Sequence, residues 1–175
     1  PTNRCYFCKS ALFMLARDLK AETSIEHVAI GTNLDDLKGH RPGMKAASEY
    51  GAIHPLVEAE FTKADVRAAS RLAGLGTWDK QEFACLSSRF PYGTRIDEER
   101  LRRVERCEDV LASLQFQVYR VRYHGPVVRI ELGPDEIDRA LEPAVRDAIV
   151  SGCKAAGFKY VSLDLEGYRR GSMNE

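Results

Sequence analysis

His27-Val28-Ala29-Ile30-Gly31-Thr32-Asn33-Leu34-Asp35-Asp36 is the stretch on which the fold turns. A short apolar run that stops at a glycine has the form of a buried parallel strand. Gly31 to Asp36 then stand at the strand's C-terminal end, where open α/β sheets place nucleotide ligands. An Asn/Asp turn that only caps the next element fits the same residues equally well. Upstream, Leu12, Leu15, Ala16 and Leu19 recur at helical spacing between Cys8 and about Ala21, giving one apolar stripe. Downstream, Pro42 to Tyr50 reads as a helix with proline in its first turn and Gly51 beyond its end. Ala52 to Val57 reads as a second strand end, broken by Pro55. Thr62 caps a further helix, with Asp65 three residues on, Val66, Ala69 and Leu72 on one face, and Gly74 closing it. Strand alternating with helix predicts a layered α/β domain with a parallel sheet over residues 1–95.

After a loop-like stretch from Gly76 to Gly93 the character changes. Asp97 can cap a helix whose first turn holds Glu98 and Glu99, as the helix dipole favours. Leu101, Val104, Leu111 and Leu114 supply its buried face. Two strands are expected at Phe116 to Tyr123 and Val127 to Leu132, joined by a tight turn at His124-Gly125-Pro126. In the second, Val128, Ile130 and Leu132 share one face while Arg129 and Glu131 share the other. A helix from Pro143, carrying Val145 and Ile149 and ended by Gly157, precedes a last strand at Tyr160 to Leu163. Residues 96–175 are therefore expected to form a small α+β domain with a polar tail.

The 26 basic and 26 acidic residues cancel, which argues against a dedicated nucleic-acid or membrane-surface protein. No apolar run is long enough to span a bilayer, and nothing resembles a signal peptide. Five unevenly placed cysteines among 175 residues do not form a secreted disulfide framework and read as reduced thiols in a cytosol. The sequence opens at Pro1 directly into a dense motif, so a further upstream segment is expected.

Cys5 and Cys8 form a C-x-x-C pair at the entry to a helix, a spacing that lets two sulfurs meet one metal ion or cluster. Two core cysteines or a redox dithiol fit a lone C-x-x-C as well. A third ligand would have to come from elsewhere, and Cys85 has a comparably polar setting in a loop. Cys107 and Cys153 have apolar helical neighbours and read as small buried residues. Lys63, at a helix start, could meet a phosphate; an exposed lysine is the plainer alternative. Arg120 and Arg122 alternate onto one strand face, and Arg169 and Arg170 precede Gly171-Ser172. Guanidinium forks suit phosphate and carboxylate, although a solvated strand face and a loose tail would look the same.

Read in order, Asn3-Arg4-Cys5-Tyr6-Phe7-Cys8-Lys9, Gly31-Thr32-Asn33-Leu34-Asp35-Asp36, Arg41-Pro42-Gly43, His54-Pro55-Leu56, Lys63-Ala64-Asp65-Val66-Arg67, Ala84-Cys85-Leu86-Ser87-Ser88-Arg89 and Gly167-Tyr168-Arg169-Arg170-Gly171-Ser172-Met173-Asn174 resemble the LarE family of ATP-dependent sulfur transferases. That family matures the nickel-pincer cofactor of lactate racemase. The resemblance covers essentially the whole chain. It implies a PP-loop ATP pyrophosphatase fold (adenine nucleotide alpha hydrolase-like), here the C-terminal part of that domain, followed by a small domain for substrate binding or oligomerisation.

The resemblance further implies that ATP, with Mg, adenylates a carboxylate of a pyridinium mononucleotide. Sulfur then displaces AMP, giving pyridinium-3,5-bisthiocarboxylic acid mononucleotide. Cys85 matches the cysteine that donates sulfur in sacrificial members. In members that also carry the C-x-x-C, as here, Cys5, Cys8 and Cys85 would hold a [4Fe-4S] cluster with one iron left open. Gly31, Thr32, Asn33, Asp35, Asp36 and Lys63 would border the nucleotide. Ser88, Arg89, Arg120, Arg122 and Arg169 would meet the substrate. The family's phosphate loop, Ser-Gly-Gly-Val-Asp-Ser, is nowhere in this sequence, so the expectation is that the chain alone does not adenylate substrate. A cytoplasmic homo-oligomer is expected, with the upstream half as a further partner. A tRNA thiolase of the same superfamily and a non-catalytic, zinc-stabilised adaptor domain are the alternatives.

Overall fold

The structure, a computed structural model, describes residues 2–38, 42–80 and 84–169. Its contacts gather into two compact units, Pro1–Glu82 and Phe83–Glu175. Both mix helix with strand pairing, an α/β protein in the broad sense.

In unit 1, α1 (Arg4–Glu22) is followed by a 3₁₀ turn (Leu34–Lys38), α2 (Pro42–Glu49), α3 (Pro55–Glu58) and α4 (Lys63–Leu72). The two strands expected at 27–30 and 52–57 are reduced, among the described residues, to one parallel bridge between Ala29 and Ile53. Ile30 N–H donates to the Ile53 carbonyl at 3.1 Å, and Ile53 N–H donates to the Val28 carbonyl at 3.0 Å. Pro55 is the local reason for the early stop: it has no N–H for a ladder and suits the first turn of α3 instead.

Helix α1 begins at Arg4, earlier than its apolar stripe suggests. Its buried contact is Phe13, packed with Ala46 and Ala47 of α2 and with Tyr6, Val28 and Ile30. The two alanines are small enough to let the helices approach closely, and the Tyr6 hydroxyl donates to Glu49 at 2.5 Å across the same pair. Leu12, Leu15 and Leu19, read from the sequence as part of one apolar stripe, are exposed. The same correction applies to α4, where Leu72 is 90% exposed and no residue is fully buried. What defines α4 is its start. Thr62 Oγ1 accepts from Asp65 N–H while the Asp65 carboxylate accepts from Thr62 N–H, a complete capping box.

Unit 2 contains a 3₁₀ turn (Leu86–Arg89), α5 (Glu98–Ser113), β1 (Tyr119–His124), β2 (Val127–Leu132), a 3₁₀ turn (Pro134–Glu136), α6 (Ile137–Leu141), α7 (Pro143–Ala155) and β3 (Tyr160–Leu163). The sheet runs β1-β2-β3, the first pair antiparallel and the second parallel. Tyr119, Val121, Tyr123, Val128, Ile130 and Leu132 lie on one face and form the core with Val104, Cys107 and Leu111 of α5 and Ile149 and Cys153 of α7. Strand β1 begins later than Phe116. The N–H groups of Gln117 and Val118 donate to the Glu136 carboxylate, each at 2.9 Å, and so lie outside the ladder.

A buried ion pair meets the free edge of β1 at Val121. Arg89 Nε and Nη2 donate to the two oxygens of Glu108 at 2.7 and 3.2 Å, and Glu108 Oε1 also accepts from Val121 N–H at 3.3 Å. Phe90, fully buried, stacks on Tyr123 in the same core. These contacts tie the residues around Arg89 into unit 2, whereas the sequence reading drew the boundary at 95/96.

Arg89 is 1% exposed, so removing its counter-charge strands a cation in a dry interior. Glu108→Ala should lower the stability of unit 2 by about 3–5 kcal/mol in chemical denaturation. The double change Arg89→Met with Glu108→Leu should recover most of that loss. A single variant as stable as the parent would show that the pair carries no such burden.

Candidate functional site

Cys5 and Cys8 lie in the first two turns of α1, both exposed, three residues apart and so on one side of the helix. The start of α2 packs against them. A Cβ built on Gly43 would stand 3.0 Å from Lys9 Cγ and 3.7 Å from the Cys5 carbonyl, so a larger residue there would push α2 off the cysteine turn. This is the physical content of Pro42-Gly43; Arg41, quoted with them above, lies outside the described residues.

The Gly31–Asp36 segment is a self-bonded Asx turn. Asn33 Oδ1 accepts from Asp35 N–H at 3.0 Å and from Asp36 N–H at 3.3 Å, and Asp36 Oδ2 accepts from Asn33 N–H at 3.2 Å. Thr32 Oγ1 reaches the Met44 sulfur at 3.6 Å. The α4 N-terminus is engaged by protein: Lys63 N–H donates to Asp35 Oδ2 at 2.9 Å. A carboxylate already occupies that main-chain donor. Among the described residues nothing crowds Gly31, and its φ is not positive.

In unit 2 the second face of the sheet is polar; Arg120, Arg122 and Glu131 at its centre are buried, while His124 and Tyr160 at its end are exposed. Strand register sets Arg120 opposite Glu131 and Arg122 opposite Arg129. Glu131 is fully buried, with Arg122 Nη2 donating at 2.7 Å and Arg129 Nη2 at 3.0 Å. Asp164 follows β3 and stands 3.7 Å from Arg129 Nη1 and 4.0 Å from Arg169 Nη1, while Arg169 also meets Glu166 at the rim at 2.9 Å. Arg120 lies over the Tyr168 ring, 4.8 Å from its centroid. Burial, and then the charge of Arg89, pull the Arg120 guanidinium below the ordinary arginine value. Among the described residues, guanidinium groups outnumber carboxylates on this face.

The Cys85 turn joins the same face. Ser88 N–H donates to the Cys85 carbonyl at 2.9 Å, Arg89 Nη1 holds the Ala84 carbonyl at 3.0 Å and Ser88 Oγ at 2.8 Å, and Arg122 Nη1 donates to the Ser88 carbonyl at 3.2 Å. Arg122 thus bridges the turn and Glu131, while the Cys85 thiol is exposed at the turn's start. The segment after β3 folds back onto β2 through Tyr168 N–H to the Leu132 carbonyl at 2.7 Å. Gly167 allows this approach: its φ is +71°, and a Cβ would fall 2.9 Å from that carbonyl oxygen. Arg170 to Asn174 of the tail motif lie outside the described residues.

The site residues read from the sequence therefore fall in three places, two in unit 1 and one in unit 2. Among the described residues, no three histidine, cysteine or carboxylate side chains gather in one metal-holding group, so each unit by itself gives the expected cluster an incomplete thiol set. No helix among those residues is long and apolar enough to cross a membrane. Glu131, Glu108, Arg129 and Asp164 were missed as site residues. A signal existed for two of them. The two-residue turn after His124 fixes the register, and register alone sets Arg120 against Glu131 and Arg122 against Arg129.

No family model matches the chain. It is 44% identical over 174 residues to an uncharacterized protein of Synechocystis sp., covering 99% of this chain and 65% of that protein. It is 39% identical over 170 residues to the pyridinium-3,5-bisthiocarboxylic acid mononucleotide synthase of Lactiplantibacillus plantarum, covering 97% of this chain and 61% of the enzyme. An uncharacterized protein of Methanocaldococcus jannaschii is 30% identical over 166 residues, covering 95% of this chain and 64% of that protein. The chain spans a little under two thirds of the length of these curated relatives.

The Asx turn and α4 share a testable acid sensitivity. The Asp35 carboxyl lies below its ordinary value, first because it accepts from Lys63 N–H and then because of Lys38. Asp65 is lowered by the Thr62 hydroxyl and then the Thr62 N–H. Depressed folded values mean that the stabilisation is whole above about pH 4 and is lost as pH falls through them. The Lys63 amide signal in NMR should therefore titrate in this acid range, and Asp35→Asn should abolish that titration. A Lys63 amide indifferent to acid in the parent would refute the contact.

Proposed function

We propose that this chain contributes the sulfur-transfer and substrate-binding parts of an ATP-dependent sulfur transferase, acting on an adenylated carboxylate of a pyridinium mononucleotide in nickel-pincer cofactor biosynthesis. The observation that carries this reading is the junction in unit 2, where Arg122 joins the Cys85 turn to a guanidinium-rich sheet face. The 39% identity to an enzyme named for the bisthiocarboxylic product supports it.

The chemistry asks for two steps. A substrate carboxylate oxygen attacks the α-phosphorus of ATP and pyrophosphate leaves. A sulfur nucleophile then adds to the acyl carbon, a C–S bond forms and AMP leaves with the electron pair. Arg120, Arg122 and Arg169 would hold the anionic groups of the mononucleotide, since buried guanidinium groups keep their charge and gain from an incoming anion. Ser88 would stand at the edge of that pocket. Arg89, whose donors are engaged by Glu108, Ala84 and Ser88, would act by positioning the turn that presents Cys85. Gly31, Thr32, Asn33, Asp35 and Asp36 would border ATP with its Mg, with the Lys63 ammonium toward the phosphates. The phosphate-loop amides are not drawn from these residues.

Cys5, Cys8 and Cys85 would together hold a [4Fe-4S] cluster, which when bound supplies an iron open to hydrosulfide. Exposed thiols suit the reducing interior of a cell, so a cytoplasmic location belongs to the proposal. Anaerobic purification should yield iron and sulfide in equal amounts, lost in Cys5→Ser, Cys8→Ser and Cys85→Ser alike. Zinc in place of iron would favour a structural adaptor, and no metal in the parent would remove the cluster.

The arginines are tested separately by binding. Arg120→Ala, Arg122→Ala and Arg169→Ala should each weaken pyridinium mononucleotide binding about tenfold or more in calorimetry, as loss of a charge-assisted contact does. Unchanged affinity in all three would make them structural residues of the sheet.

A further inference from the structure

His124 ends β1 on the polar face, two residues along from Arg122 and four from Arg120. Two strand residues span about 7 Å, so an anion lying against Arg122 is within reach of the imidazole. The neighbours are named by the register. Arg122 lies on the same strand; on β2, Arg129 lies diagonally across and Glu131 two residues further along, opposite Arg120, and all three act on the imidazole through their charge. Val127, its direct partner, brings no charge, and the next residue across is Tyr160 of β3. The core uses none of these polar groups, and the hairpin turn does not need a histidine.

We propose that His124 is the proton-exchanging member of this anion-binding face, donating a hydrogen bond to the ligand's anionic group and taking up a proton as the ligand binds. The inference rests on the reading of the arginine face as the anion site. The proton comes from solvent and returns to it on release, so nothing else is consumed. In the free protein, partial desolvation and then Arg129, with Arg122 adding to it and Glu131 opposing, hold the imidazole below its ordinary value of 6.5. The free site therefore carries a mostly neutral imidazole at neutral pH. An anion placed beside it reverses the balance, because it screens the two guanidinium groups and favours the imidazolium.

The test uses the full chain with sulfate as the probe, because its charge is constant where phosphate itself titrates. A pyridinium mononucleotide serves as the second probe. Imidazole signals are followed by NMR across the neutral range, with His124→Gln assigning the His124 signal among the four histidines. Saturating sulfate should raise the His124 pKa by about one unit, and sulfate should bind about tenfold more tightly once the imidazole is charged. In His124→Gln that pH dependence should vanish while arginine-dependent binding persists. Binding that Arg122→Ala weakens, with a His124 pKa that does not move and the pH dependence kept in His124→Gln, would overturn this inference alone. No binding of either probe at any pH would overturn the arginine site and this inference with it.

Discussion

A carboxylate buried to zero exposure in the middle strand of a three-stranded sheet is the constraint around which unit 2 is arranged. An isolated charge in that position would cost several kcal/mol, and only close opposite charges with good hydrogen bonds offset it. Glu131 receives two guanidinium groups, one from its own strand and one from β1. Both depend on the register set by the two-residue turn at Gly125-Pro126. A slip of β1 by one residue would turn Arg120 and Arg122 toward the aromatic and aliphatic side chains of the core and away from Glu131. The polar cluster therefore specifies the hairpin as strongly as the core does.

The same logic extends outward by single contacts. Arg122 reaches from Glu131 to the Ser88 carbonyl, so the Cys85 turn inherits its position from the buried carboxylate. Arg89 fastens the other side of that turn to Glu108, which also takes the outward N–H of the edge strand. The exposed Cys85 thiol is thus carried on a turn held by Arg89 and Arg122. Unit 1 uses a lighter device. Its Asx turn and capping box are local, its Asp35–Lys63 bond joins residues 28 apart, and these mostly exposed contacts join 31–36 to α4 without a large core.

Legibility followed the range of the interactions. Caps and turns depend on neighbours three or four residues away, so Thr62, Asp65, Asp97 and the His124–Val127 turn could be read from the chain directly. The alternation in Val127–Leu132 also held, because period two against a hydrophobic face has few alternatives. The α1 stripe misled. Helical spacing identifies an amphipathic helix but not which side finds a partner, and here Phe13 meets the small alanines of α2 while Leu12, Leu15 and Leu19 are exposed. The arginine face was legible as charge but not as burial. Arg120 and Arg122 look like a solvated strand face until Glu131 and the folded-back segment at Gly167 and Tyr168 are placed beside them. Whether the cysteines of the two units meet is set by contacts of the longest range, which no local pattern encodes.

Buried guanidinium groups give this face a charge that burial does not remove. An arginine stays ionised under almost any burial, so the penalty for crowding Arg120 near Arg89 and Arg122 cannot be escaped by losing a proton. It can be relieved only by negative charge. A neutral ligand would displace water and leave that repulsion in place, whereas a multiply charged anion would lower it at several guanidinium groups at once. Because the groups are withdrawn from solvent, added salt screens such contacts less than it would at an exposed patch.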